Sequence, residues 1–179
     1  MISNAITIFR TLLTIPLFAL LAFGGGAYGW WPLALFLGAG LLDMVDGKVA
    51  RARNETSAFG AMIDLIGDRL LTFAAVLGLI VGGVITWPLD VAAGIVLIAR
   101  DLVVASLNEA LPGKLGPRVG PAEKVKIIAA FSALTLLIAP TMFAQQQILG
   151  LIALWMAAVL TVSTVVGYWL AALKEFAKG

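Results

Sequence analysis

Four aspartates lie close together in an otherwise apolar part of this sequence. Asp43 and Asp46 are three residues apart, and Asp64 and Asp68 are four residues apart. Residues with these separations share one face of an α-helix, so each pair would present two carboxylates side by side. Carboxylate oxygens with no nitrogen or sulfur ligand beside them favour Mg²⁺, Mn²⁺ or Ca²⁺ over zinc. The spacing therefore predicts a divalent-cation site formed by two neighbouring helices near the cytoplasmic side of a membrane.

The residue types that are missing narrow the chemistry further. The 179 residues include no histidine and no cysteine, which removes the commonest general base, the usual zinc ligands and any disulfide framework. Catalysis would therefore depend on Asp, Glu, Lys, Arg or hydroxyl groups. The net charge of +2 is too small to indicate nucleic-acid binding, and no nucleic-acid partner is expected.

The composition is that of a membrane protein. Hydrophobic residues make up 61% of the chain and charged residues 12%, whereas soluble domains carry about 25% charged residues. The apolar stretches are each close to the ~20 residues that a spanning helix needs, and they are too long and too uniform for strands. We predict an all-α polytopic membrane protein with six transmembrane helices in a single domain, 1–179. The predicted spans are 7–25, 30–48, 58–83, 87–110, 122–143 and 147–173.

The basic residues indicate how these spans are oriented. The loops around 24–30, 82–88 and 140–147 contain no Lys or Arg. Because basic loops stay in the cytoplasm, we expect both termini to be cytoplasmic. The basic residues of the opposite loops and of the chain end are Lys48, Arg51, Arg53, Lys114, Arg118, Lys124, Lys126, Lys174 and Lys178.

Acidic residues inside apolar spans require an explanation, because a charge at the bilayer centre costs ~2.5–3.5 kcal/mol. Asp43 and Asp46 also fall near the C-terminal end of their helix, where the helix dipole disfavours anions. One explanation besides a metal site is a set of structural ion pairs, and another is the cation site of a transporter. The candidate partners for structural ion pairs are Lys48, Arg51, Arg53 and Arg69.

Residues 43–68 form the pattern D-x2-D-G-x2-A-R-x8-G-x3-D-x3-D. This pattern resembles the signature of the CDP-alcohol phosphatidyltransferase family at every position. The predicted six-span layout is also similar to that family, so the resemblance covers essentially the whole chain. The residues that carry the pattern are Asp43, Asp46, Gly47, Ala50, Arg51, Gly60, Asp64 and Asp68.

The resemblance implies a site that transfers a phosphatidyl group from CDP-diacylglycerol to an alcohol and releases CMP. The four acids would hold two divalent cations, Mg²⁺ or Mn²⁺, and Asp68 would also be the catalytic general base. The resemblance also implies a homodimer among membrane lipids in the bacterial inner (cytoplasmic) membrane, with the active site on the cytoplasmic side. The residues implied to bind the CDP-lipid are Asp43, Asp46, Gly47, Ala50, Arg51, Gly60 and Asp64, with Ser57 as either a further nucleotide contact or a helix N-cap.

The motif concerns the donor, so the acceptor alcohol has to be inferred from other residues. Asn4, Thr7 and Arg10 are similar to residues of bacterial phosphatidylglycerophosphate synthases, which favours glycerol 3-phosphate. The Arg100-Asp101 pair is closer to cardiolipin synthases that use phosphatidylglycerol, or is only a buried ion pair. A basic cluster would bind an anionic acceptor, or would follow the positive-inside rule and contact anionic lipids. Its predicted acceptor-binding members are Arg100, Arg118, Lys124 and Lys126.

Overall fold

The chain folds into α-helices, and no strand occurs among the residues that the structure describes. The structure is a computed structural model that describes residues 2–24, 29–52, 58–113 and 121–177, with only the backbone of several helical residues near the gaps. The all-α prediction is confirmed for these residues. The helices are α1 Ile2–Leu12, α2 Thr14–Phe23, α3 Trp31–Ala52, α4 Ala58–Val81, α5 Pro88–Ala110, α6 Pro121–Ile138 and α7 Gln146–Phe176.

The first predicted span is divided into α1 and α2 at Leu13. The Leu13 N–H is shared between the carbonyls of Phe9 and Arg10, at 3.1 and 3.2 Å. Pro16 follows three residues later; it has no N–H to donate to the Leu12 carbonyl, and its ring crowds that carbonyl. The break therefore lies at the turn that the proline disrupts, and it separates the segment carrying Arg10 from the more apolar α2.

The structure divides into two compact units, of which the first contains residues 1–86 and 137–143. In this unit α4 packs against α1 and α2 through glycines. A Cβ added at Gly78 would lie 2.7 Å from the Leu21 Cβ, and one at Gly82 would lie 2.1 Å from the Leu21 carbonyl oxygen. Such separations are possible only without a side chain, as is common where membrane helices meet closely. This close packing brings α1 to the acidic part of α4.

The second unit contains residues 87–136 and 144–179. Its core includes Val104 and Leu107 of α5 packed with Tyr168 and Ala172 of α7. Two side-chain hydrogen bonds join elements of this unit. The Trp155 indole N–H donates to Asp90 Oδ1 at 2.7 Å, and the Gln146 side-chain amide donates to the Leu136 carbonyl at 2.9 Å. The single domain predicted over 1–179 stays a prediction.

Two helical stretches in the described part of the chain are long and apolar enough to cross a membrane. They are Ala5–Phe23, which combines most of α1 with α2, and Gln146–Phe176, which is α7. The apolar half of α3, Trp31–Asp43, is shorter. The predicted number of six spans and their orientation therefore stay predictions.

Candidate active site

Arg10 of α1 lies at the centre of the acidic cluster. Its side chain is 2% exposed and reaches α3 and α4. Nη1 donates to a carboxylate oxygen of Asp43 and to Asp68 Oδ1 at 2.9 Å. Nη2 donates to Asp64 Oδ1 at 2.8 Å and to the Asp64 main-chain carbonyl at 3.3 Å. Three of the four aspartates of the sequence motif are thus bound to one guanidinium.

Local geometry explains why Arg10 can reach this position. Asp64 and Asp68 are one turn apart on α4 and therefore share a face. Gly67 lies beside them where α1 approaches, because a Cβ added there would be 2.7 Å from Thr11 Oγ1 and 3.0 Å from Arg10 Nη2. The Thr11 hydroxyl donates to the Thr7 carbonyl at 2.8 Å, which keeps the Thr11 side chain against its own helix. A glycine on α4 thus leaves room for the guanidinium.

The cluster is buried on one side only. The side chains of Asp43, Asp64 and Asp68 are 35%, 49% and 57% exposed, whereas that of Arg10 is 2% exposed. Arg10 is therefore the most deeply buried of these four side chains, and the three carboxylates each keep part of their surface exposed. Carboxylate oxygens that are partly exposed in this way would attract a further cation.

The donor set fits a hard divalent cation. The exposed side offers carboxylate oxygens, which are the preferred ligands of Mg²⁺ and related ions. Among the described side chains, however, no three acids are arranged around a common ion position; Asp43, Asp64 and Asp68 are arranged around Arg10 instead. Asp46 lies one turn after Asp43 on α3, and its side chain is outside the described residues. The predicted four-carboxylate metal site stays a prediction.

Comparison with known proteins shows the family to which the chain belongs. The family model for CDP-alcohol phosphatidyltransferase matches residues 1–163. The chain belongs to the CDP-alcohol phosphatidyltransferase family. It is 32% identical to a CDP-diacylglycerol–glycerol-3-phosphate 3-phosphatidyltransferase of Escherichia coli K12 over 182 residues, covering 97% of this chain and 96% of the relative. Relatives with the same name in Rickettsia felis and Rickettsia bellii are 33% and 31% identical over 146 residues, covering 79% of this chain and 78% of each relative.

The structure describes only some of the residues of the phosphatidyltransferase motif. Gly60 is half-buried on α4, one turn before Asp64. Asp46, Gly47, Ala50 and Arg51 lie in the last turns of α3 with their side chains outside the described part, and Ser57 falls wholly outside it. The CDP-lipid contacts that the resemblance implies for these residues therefore stay predictions.

The predicted acceptor-binding residues of this phosphatidyltransferase belong to the second unit. Arg100 Nη1 donates to Asp101 Oδ1 at 2.8 Å, so the ion pair that the sequence left open is present. Lys124 is exposed, and Lys126 is 7% exposed on α6. Arg118 falls outside the described residues. A role of these four residues in acceptor binding stays a prediction.

Sequence reasoning did not assign Arg10 to the site. The ion-pair alternative named four other cations, and the cation that the structure brings to Asp43, Asp64 and Asp68 is Arg10 of α1. A usable signal was present, because an arginine inside an apolar span nearly always has an acidic or carbonyl partner. Arg10 is the only Lys or Arg in the first predicted span, 7–25, so its partner must come from another helix.

Proposed function

We propose that this protein transfers the phosphatidyl group of CDP-diacylglycerol to glycerol 3-phosphate, giving phosphatidylglycerophosphate and CMP. The observation that carries the proposal is the convergence of Asp43, Asp64 and Asp68, motif acids of the family from two helices, on one guanidinium. The choice of acceptor is supported by relatives named for glycerol 3-phosphate, of which one is 32% identical over 97% of this chain.

The reaction exchanges one phosphorus–oxygen bond for another. The acceptor hydroxyl oxygen bonds to the lipid-side phosphorus, the bond from that phosphorus to the CMP oxygen breaks, and CMP leaves with the electron pair. The hydroxyl proton passes to a carboxylate, which we assign to Asp68. Asp68 has the most exposed side chain of the three clustered acids, at 57%. A positioned base of this kind contributes roughly 10²–10⁴-fold to the rate.

Asp43, Asp46, Asp64 and Asp68 would hold two divalent cations, Mg²⁺ or Mn²⁺. Bound there, the ions would neutralise charge on the transferring group and on the CMP leaving group. We assign the CDP end of the donor to the neighbouring part of the motif, where glycines, having no side chain, would let a ligand approach the backbone. The proposed contacts are Gly47, Ala50, Arg51, Ser57 and Gly60.

The acceptor phosphate is assigned to the basic side chains of Arg100, Arg118, Lys124 and Lys126, since a cluster of cations suits a phosphate group. We further propose six spans with both termini and the active site on the cytoplasmic side of the bacterial inner membrane, and a homodimer surrounded by membrane lipids. The loop charges support this orientation, and the Gly- and Ala-rich predicted spans would permit close contact between two copies.

An acceptor screen tests the proposed reaction. Purified protein in mild detergent is incubated with CDP-diacylglycerol and Mg²⁺ or Mn²⁺, and with glycerol 3-phosphate, phosphatidylglycerol, serine or inositol phosphate at equal concentration. CMP release and the lipid product are measured, with the Asp68→Asn variant as the inactive control. We expect CMP release that depends on glycerol 3-phosphate. Preference for phosphatidylglycerol would make the protein a cardiolipin synthase, and no release with any acceptor would contradict the enzymatic proposal and leave a cation transporter as the alternative.

A further inference from the structure

We infer that Arg10 is a positioning residue of the metal site, which holds Asp43, Asp64 and Asp68 from the buried side so that their exposed side can bind divalent cations. The inference rests on the proposed function, because it concerns the same cluster of acids. It assigns a role to a residue of α1, which lies outside the 43–68 motif.

The contacts of Arg10 join three positions that are distant in the chain. Its partners are 33, 54 and 58 residues away, at Asp43, Asp64 and Asp68. A guanidinium donates in fixed directions within one plane, so it orients the carboxylates as well as offsetting their charge. The fourth contact, to the Asp64 main-chain carbonyl, also fixes the guanidinium relative to the α4 backbone. Without Arg10, three anions held close together would repel one another.

The difference in burial distinguishes a supporting cation from a competing one. If the guanidinium occupied the exposed side of the cluster, a metal ion would have to displace it. Its side chain is instead 2% exposed, whereas the carboxylates that it binds are 35–57% exposed. The proposal therefore places the divalent ion on the exposed surface of these carboxylates and leaves the contacts to Arg10 in place. Metal-ligating carboxylates are commonly held in this way by hydrogen bonds from outer partners.

The two roles predict opposite effects on metal affinity. Removing a positive charge near a cation site strengthens metal binding if only Coulomb repulsion acts. Removing an outer partner that orients the ligands instead weakens metal affinity by about 10–100-fold. The sign of the change therefore decides between the roles, and it can be measured without turnover.

The experiment measures Mn²⁺ binding to the substrate-free protein in detergent, using the electron paramagnetic resonance signal of free Mn²⁺. Wild type is compared with Arg10→Met, Arg10→Lys and Lys174→Met. We expect the Kd for Mn²⁺ to rise at least about 10-fold in both Arg10 variants, because lysine keeps the charge but lacks the planar set of donors. Lys174→Met removes an exposed charge from the last turn of α7 and should bind Mn²⁺ like wild type.

A second pair of variants keeps the test decisive if the Arg10 variants do not fold. Gly67→Ala retains every charge but places a methyl group 3.0 Å from Arg10 Nη2 and 2.7 Å from Thr11 Oγ1. We expect it to weaken Mn²⁺ binding several-fold, whereas Gly38→Ala, whose added methyl group would meet nothing within 4 Å, should not. Each variant is first checked for helicity and for a single size-exclusion peak in EDTA.

The outcomes separate this inference from the proposed function. If wild type binds Mn²⁺ and a folded Arg10→Met binds it equally or more tightly, the positioning role is wrong and the proposed enzyme is unaffected. If the Arg10 variants do not fold, a Kd for Mn²⁺ in Gly67→Ala equal to that of wild type would likewise show that the positioning role is wrong. If wild type itself binds no Mn²⁺ or Mg²⁺, the metal site of the proposed function is wrong, and the role of Arg10 fails with it.

Discussion

The carboxylates at this site are expected to have different roles in the reaction. We assign proton transfer from the acceptor hydroxyl to Asp68. Asp68→Asn keeps the shape of the side chain but removes its capacity to accept a proton. We expect it to bind CDP-diacylglycerol, though more weakly, and to lose roughly 10²–10⁴-fold in CMP release. Donor binding and single-turnover CMP release are measured on the same preparation. Near-normal turnover with any acceptor would show that another group takes the proton.

The other motif acids should act through the metals. Asp43→Asn, Asp46→Asn and Asp64→Asn each replace a charged oxygen ligand with a neutral amide, which binds hard cations less strongly. We expect activity to be abolished in each and to be poorly restored by raised Mg²⁺ or Mn²⁺. A titration of activity against metal concentration measures this. Full recovery at high metal in all three variants would show that these carboxylates are dispensable as ligands.

At this scale the sequence predicts which acids belong together but not which cation accompanies them. The spacing of Asp64 and Asp68 is local and translates directly into a shared helix face. The pairing of Arg10 depends on how α1 packs against α4, which periodicity does not encode. The chain has 12 Lys and Arg, and among them neighbours in sequence such as Arg69 are the simpler candidates.

The packing of the C-terminal end of α4 against α2 leaves no space for an added Cβ at Gly82, the residue that follows α4. In Gly82→Ala the new Cβ would lie 2.1 Å from the Leu21 carbonyl oxygen, and this oxygen belongs to the backbone and cannot rotate away. We expect a loss of about 1–3 kcal/mol in stability, as for other overpacked sites. Thermal unfolding in detergent measures the effect.

Gly38→Ala is the matched control for this prediction. It makes the same substitution inside α3, at a position where an added Cβ would meet nothing within 4 Å. Alanine has the higher helix propensity, by up to ~1 kcal/mol, so the control should be neutral or slightly stabilising. Equal thermal unfolding midpoints for Gly82→Ala and Gly38→Ala would show that the contact between α2 and the end of α4 has space for the added methyl group.

Hydropathy located the helices well but missed two features that prolines produce. The predicted spans 58–83 and 87–110 agree to within two residues with the observed helices α4, Ala58–Val81, and α5, Pro88–Ala110. By contrast, the first span is broken near Pro16, and α6 ends at Ile138, two residues before Pro140, although the prediction continued to 143. Proline cannot donate the helical hydrogen bond, and it disfavours the helical conformation of the residue before it. Hydropathy averaged over a window of residues does not detect these local effects.

For the molecule as a whole, the distribution of basic residues predicts which loops face the cytoplasm. Because the chain contains no cysteine, one introduced cysteine is a unique label. Cysteines at Ala27 and Gln145, in loops without Lys or Arg, should react with a membrane-impermeant maleimide added from the periplasmic side. A cysteine at Lys178 should react only after the cytoplasmic side is opened. The reverse pattern would invert the topology and place the active site in the periplasm.

The division of the molecule into two compact units was not predictable from the sequence. Nothing in the length or hydropathy of the six predicted spans indicates that residues 137–143 are grouped with the first unit and 144–179 with the second. Such grouping depends on which helix faces fit together. The Tyr168 and Ala172 face of α7, for example, packs with Val104 and Leu107 of α5, and each face alone is an ordinary apolar surface.

The distance along the chain between Arg10 and its acidic partners has a consequence for biosynthesis. Asp43 follows Arg10 by 33 residues and Asp68 by 58, so the ribosome delivers α1 well before α4. A charged side chain within the apolar part of a bilayer is unfavourable, and until the acids are synthesised Arg10 lacks these partners. The first span should therefore wait beside the translocon or at the membrane interface until α3 and α4 have been made. The cluster of Arg10 with its three acidic partners and the stable insertion of the first span would then be completed in one step.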